Sequence, residues 1–81
     1  MKNITKEYRV FGIVQGVGFR YFTKTIAQEL GIKGWVKNEI DGSVKIVACG
    51  DMETLKLSEK YIKKGPSLSK VTNIEEKLIE E

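Results

Sequence analysis

Glu7-Tyr8-Arg9-Val10-Phe11-Gly12-Ile13-Val14-Gln15-Gly16-Val17-Gly18-Phe19-Arg20 is the stretch whose reading decides the fold. Its first half alternates, with Tyr8, Val10, Gly12 and Val14 on one side and Arg9, Phe11 and Ile13 on the other. That period of two predicts a strand over Glu7–Val14. Gln15 to Gly18 is too rich in glycine to continue it. Beyond the glycines the period changes. Phe22, Ile26 and Leu30 recur every four residues with Phe19 and Ala27 near their stripe, while Lys24, Gln28 and Glu29 face away. The spacing predicts an amphipathic helix over Tyr21–Leu30, with Gly31 placed for a left-handed C-terminal cap.

Working outward, Gly34-Trp35-Val36-Lys37-Asn38 and Ser43 to Cys49 read as two strands joined through Glu39-Ile40-Asp41-Gly42. The Asp-Gly pair marks a hairpin turn. Val44, Ile46 and Ala48 share one side of the second strand. Asp51 is placed to cap a second helix, whose apolar stripe is Met52, Leu55 and Ile62, interrupted by Ser58 and Glu59. Gly65-Pro66 stops it. Val71, Ile74, Leu78 and Ile79 fit a helix or an irregular strand. We take a strand over Lys70–Lys77, because the hairpin needs another partner.

The resulting order β-α-β-β-α-β predicts an α+β, ferredoxin-like sandwich: two helices on one face of a four-stranded antiparallel sheet. The other face is left to solvent, with Phe11 and Ile13 partly exposed. Many unrelated activities share this architecture. Bulk composition narrows them. The 81 residues predict one domain, 1–81, with a thin core. No apolar run is long enough for a membrane span, and Met1 to Glu7 lacks a secretory signal's apolar stretch. One cysteine, Cys49, excludes an intrachain disulfide and suits a reducing compartment, so a cytoplasmic protein is expected. The net charge of +3 is scattered and mild, which argues against nucleic acid. With no histidine, the usual neutral-pH base and the commonest metal ligand are both missing.

Within these limits the glycine turn has a clear chemical use. Two glycines between strand and helix let successive N–H groups converge, and the helix N-terminus adds free donors and a positive partial charge. Arg20 brings a planar guanidinium suited to two phosphoryl oxygens. A plain tight turn with a solvated Arg20 fits the same residues. So does a structural Asn38 capping the hairpin. Neither nucleotide-binding fingerprint is complete here.

The longer string Gly12-Ile13-Val14-Gln15-Gly16-Val17-Gly18-Phe19-Arg20 closely resembles the signature of the acylphosphatase family. Gly34-Trp35-Val36-Lys37-Asn38, followed by Asp41-Gly42-Ser43-Val44, resembles its second signature at the expected distance, and Gly65-Pro66 also fits. The resemblance runs from about Tyr8 to Val71. It implies an enzyme that hydrolyses acyl phosphates to a carboxylate and inorganic phosphate, with no metal or other cofactor. It further implies that the loop Gln15, Gly16, Val17, Gly18, Phe19 and Arg20 holds the phosphate. Arg20 would bind the phosphoryl oxygens, and Asn38 would position the attacking water. The expected partner is a small-molecule substrate, with no nucleic acid or membrane, and the expected state is a monomer.

Three departures accompany the resemblance. Ile13 stands where the family is commonly basic, and Lys45 where it is commonly acidic. Family members also usually continue to a short final strand with an aromatic residue and a basic pair, which this sequence does not show. A lower stability than that of a longer relative is the expectation. Trp35 is expected to pack in the core or on the sheet, Cys49 to be an inert strand residue, and Glu75-Glu76 to Glu80-Glu81 to be solvated charge. The residues leave room for two other functions. One is a catalytically weak anion-binding or regulatory module that keeps the loop. The other is an RNA binder, which lacks the aromatic signature on its central strands.

Overall fold

The computed structural model describes residues 2–79. The elements follow the expected order: β1 (Ile4–Ile13), α1 (Phe19–Leu30), β2 (Lys33–Asn38), β3 (Val44–Gly50), α2 (Met52–Lys64) and β4 (Lys70–Ile79). The sheet runs β2-β3-β1-β4, and every neighbouring pair is antiparallel. β3 therefore separates β1 from β2, and those two strands run parallel. Their carboxyl ends emerge at the same edge of the sheet, which places the Gln15–Gly18 turn and Asn38 at one end.

Register settles which side chains face the helices. Val10 pairs with Val44, and Val44 pairs with Asn38, so the three form one row across the sheet. Tyr8, Ile46 and Val36 form the next row in. Tyr8, Val10, Val44, Ile46 and Ala48 are buried and pack with Val14, Phe19, Leu55 and Ile62 as the core. The alternation read from Tyr8 to Val14 thus holds. The segment Lys70–Ile79 is a strand, bonded to β1 with a register shift between Phe11 and Gly12.

The stripes of both helices differ from expectation. Helix α1 begins at Phe19, and its deepest positions are Phe19 and Thr23, with Phe22, Ile26 and Leu30 only half-buried. A polar threonine inside the stripe hid this in the sequence. In α2, Met52 is exposed, whereas Ser58 is buried and donates to the Leu55 carbonyl at 2.7 Å. Trp35 lies on the sheet's open face, 49% exposed, with the ammonium groups of Lys37 and Lys45 at 5.9 and 6.0 Å from its ring centre. It packs on the sheet, as one of the two expected places for it, and not in the core. Ile13 is exposed on the same open side. Lys45 there meets Glu7 at 3.5 Å. Gly31 closes α1 in the left-handed region, and Asp51 caps α2 by accepting from the Thr54 N–H. Glu76 pairs with Lys6 at 2.9 Å; Glu80 and Glu81 lie outside the described residues.

Glu59, which interrupts the apolar spacing of α2, serves the core. The Tyr8 ring is 1% exposed, and its hydroxyl donates to the Glu59 carboxylate at 2.6 Å, where Lys6 also approaches at 3.4 Å. Burial pushes the Tyr8 phenol well above its ordinary value of 10.0, and the bond to Glu59 adds to this. Lys6 is also raised, chiefly by its hydrogen bond to Glu76. Both groups hold their protons longer folded than unfolded. Their contribution is therefore complete below the ordinary values, and it is lost as pH rises past about 10. Thermal melts should show a midpoint that changes little between about pH 7 and about pH 9.5 and falls above it, and Tyr8→Phe should make that fall shallower. An unchanged slope in the variant would remove Tyr8 from this account.

Candidate active site

The chain leaves β1 at Ile13, buries Val14, and curls through Gly16 (φ 75°) and Gly18 (φ 79°) before α1 begins at Phe19. A Cβ at Gly16 or Gly18 would meet no atom within 4 Å, so space does not demand glycine there. The left-handed backbone does, because side chains with a Cβ adopt it only under strain. Val14 before them and Phe19 after them are buried, and Val17 between them packs against the core, which pins the turn at both ends and at its middle.

The start of α1 is open in the sense that an anion site requires. Gly18 offers no side-chain cap, and no acidic residue lies in the first turn. The first backbone bond into the helix runs from the Phe22 N–H to the Gly18 carbonyl at 3.0 Å. The preceding N–H groups of the first turn therefore have no helical acceptor, and the macrodipole favours negative charge beside them. Arg20 is exposed in this turn, and among the described residues no carboxylate lies within ion-pair distance of it. Its guanidinium is thus available to a ligand.

Asn38 ends β2 on the helix-covered face, two strands from Val10 or about 10 Å across the sheet. Among the described residues no hydrogen bond engages its amide. The hairpin turn that Asn38 was a candidate to cap is closed by other groups. The Glu39 N–H donates to the Ser43 carbonyl at 2.8 Å, and Asp41 accepts from the Ser43 N–H and hydroxyl at 2.9 and 2.6 Å. The Ser43 hydroxyl, and then its backbone N–H, hold the Asp41 carboxyl below its ordinary range. Arg9 reaches Glu39 at 3.5 Å and Asp41 at 4.0 Å, and Lys37 lies 4.0 Å from Glu39. These cations counter the acids of the hairpin turn that Gln15 bonds.

Gln15 joins the two halves. Its amide nitrogen donates to the Glu39 carbonyl at 2.8 Å and to the Ser43 carbonyl at 2.9 Å. Glu39 follows Asn38 directly, and Ser43 precedes Val44, the partner of Asn38. The sequence pointed to Gln15 as part of the phosphate loop; its side chain is spent on holding the hairpin against that loop. No local pattern announces this, because the partners are backbone carbonyls 24 and 28 residues away. Gln15→Leu removes both bonds. Expected are a stability loss of about 1–2 kcal/mol and a kcat about tenfold lower at nearly unchanged KM. Denaturant melts and steady-state kinetics check it; an unchanged kcat would leave Gln15 a purely structural residue.

A strand-to-helix turn that opens on N–H groups without helical acceptors and, among the described residues, an asparagine amide with no hydrogen-bond partner are held together by Gln15 at one end of a βαββαβ sandwich, which defines the class as a small α+β protein with an open helix start. Comparison with known proteins makes the class specific. The Acylphosphatase family profile matches residues 6–81. The acylphosphatase of Archaeoglobus fulgidus is 52% identical over 95% of this chain and 86% of its own length. The crystal structure of the acylphosphatase from Bacillus subtilis superposes with a TM-score of 0.93 at 40% identity, covering 96% of this chain and 87% of that one. A similar fold occurs within a much larger protein, full-length HypF in its phosphate- and nucleotide-bound form. There the TM-score is 0.91 at 35% identity, over 98% of this chain and 10% of that one. The chain belongs to the acylphosphatase family.

Proposed function

We propose that the clamped pair of loop and asparagine carries the family's reaction, with Arg20 and Asn38 as its catalytic residues. The protein is an acylphosphatase, which hydrolyses the carboxyl–phosphate bond of a small-molecule acyl phosphate. The observation that supports the division of roles is the Gln15 bridge, which fixes an uncapped helix start with Arg20 against the strand end with Asn38.

The phosphoryl group sits on the backbone N–H groups of Gly16 to Arg20 at the positive end of α1. The Arg20 guanidinium takes two of its oxygens and holds the charge that grows on them in the transition state. Asn38 is not basic, so it orients the attacking water and leaves the proton to a phosphoryl oxygen of the substrate. The water oxygen bonds to phosphorus as the bond to the acyl oxygen breaks, and the electron pair departs on the carboxylate. A carboxylate is a good leaving group, so the absence of histidine removes nothing that this chemistry requires. Placement and charge stabilisation are enough for a transfer of this kind. Every group named comes from one chain, so a monomer suffices. Cys49, free and half-buried, suits the cytoplasm.

Hydrolysis of benzoyl phosphate with EDTA present tests the reading. Turnover is expected at the same rate with and without the chelator. Saturable phosphate binding with no hydrolysis would overturn it in favour of an anion-binding module.

A further inference from the structure

The Gln15–Gly18 turn has two neighbours at its end of the sandwich. The sheet order β2-β3-β1-β4 puts this turn, which leaves β1, between the hairpin that follows β2 and the loop Gly65–Ser69 that leads into β4. That loop is fastened to the turn at both ends. A Cβ at Gly65 would come 3.2 Å from the ring of Phe19, so the loop's backbone lies directly against the first residue of α1. At the other end Lys70 pairs with Ile13, and a Cβ at Gly12 would run into the Lys70 carbonyl oxygen. Between these anchors the loop closes on itself. The Ser69 N–H and hydroxyl both donate to the Pro66 carbonyl, at 2.9 and 2.7 Å. The result is a short wall beside the turn, and its one exposed apolar side chain is Leu68, at 77% exposure.

A single exposed leucine is ordinary on a protein surface. The direction of the reaction gives this one a use. In phosphoryl transfer the attacking and leaving oxygens stand roughly in line through phosphorus. Water oriented by Asn38 approaches from the side of β2, so the acyl oxygen departs on the side of β4. The acyl group is covalently tied to that oxygen, and the wall it meets there is the Gly65–Ser69 loop. Ile40 is more exposed still, but it stands in the hairpin on the water side, where the acyl group does not go.

We propose that the Gly65–Ser69 loop is the wall of the acyl-group site, that Leu68 sets specificity there, and that the substrates are acyl phosphates with an uncharged, apolar acyl chain. This rests on the proposed function and on the roles given to Arg20 and Asn38. The Ser69 hydroxyl is spent inside the loop, which leaves the Leu68 side chain as the surface that an acyl chain meets. Lys63, Lys64 and Lys70 flank the loop, so an acyl group ending in a carboxylate is the rival class.

The test is steady-state hydrolysis of acetyl, butyryl and hexanoyl phosphate by the full chain. Their carboxylates are almost equally good leaving groups, so differences among them report contact with the chain. With each methylene half-buried against the wall, kcat/KM should rise about twofold per methylene, or about sixteenfold from acetyl to hexanoyl phosphate. The rise should lie in KM, with kcat nearly constant, because the contact is the same in ground and transition states. Leu68→Ser, an exposed change, should cut the hexanoyl-to-acetyl ratio to less than about fourfold. Ile40→Ser, equally exposed but on the water side, should leave the ratio as it was. A flat series in the unaltered chain would overturn the proposal, as would a ratio that survives Leu68→Ser or one that falls with Ile40→Ser instead. Faster turnover of succinyl than of butyryl phosphate would overturn it in favour of the flanking lysines. Hydrolysis of none of these substrates would refute the proposed function and this site with it; hydrolysis of all three at equal kcat/KM would refute this site alone.

Discussion

Arg20→Ala is expected to lower kcat/KM for benzoyl phosphate by about 10³-fold, the upper range for loss of one donor that stabilises transition-state charge. The thermal midpoint should move by less than about 4 °C, because the side chain is exposed and no carboxylate among the described residues pairs with it. The large figure follows from how little else can replace the group. In the proposed site the other ligands to the phosphoryl oxygens would be backbone N–H groups, which carry only partial charge. No lysine lies within the Gln15–Arg20 turn, and Ile13 stands where a basic residue is common in the family. Inhibition by inorganic phosphate should weaken in parallel, since the same guanidinium holds the product. Arg20→Lys restores the charge without the planar fork and should recover only a small part of the rate. Full recovery with lysine would mean that net charge alone is at work. Undiminished turnover in the alanine variant would remove Arg20 from the mechanism.

The contrast between Arg20 and Gln15 also shows what a sequence displays and what it conceals. Strand and helix periods are local, so the alternation from Tyr8 to Val14 and the buried Val44, Ile46 and Ala48 were readable as written. Turn chemistry is local as well, which is why Gly31, Asp51 and Gly65 fall where expected. The Gln15–Gly18 turn is one continuous segment, so its glycines and the helix start that follows were readable together. Polar side chains that act across the fold leave no such trace. Ser58 and Glu59 look like breaks in an apolar stripe. In fact one bonds its own helix and the other receives a buried phenol from a strand 51 residues earlier. Thr23 occupies a core position that a hydropathy pattern assigns to solvent.

Asn38→Ala separates placement of the water from grip on the phosphate. Its kcat should fall by about 10²-fold or more, the size of effect expected when a reacting group loses its alignment. Inhibition by inorganic phosphate should change less than about threefold, because the N–H groups of Gly16 to Arg20 and the guanidinium are untouched. The fold should tolerate the change. Asn38 is exposed at the end of an edge strand, and its turn is closed by Glu39, Asp41, Ser43 and Gln15 without its side chain. A double-mutant cycle with Gln15→Leu then asks whether the bridge acts through Asn38. If Gln15 serves only to hold Asn38 on target, its loss costs little once the amide is gone, and the two effects on kcat fall well short of additive. Additive losses would place Gln15 and Asn38 in separate roles. A matching loss of phosphate affinity in Asn38→Ala would make the residue a ligand to the phosphate and take away its role in aiming the water.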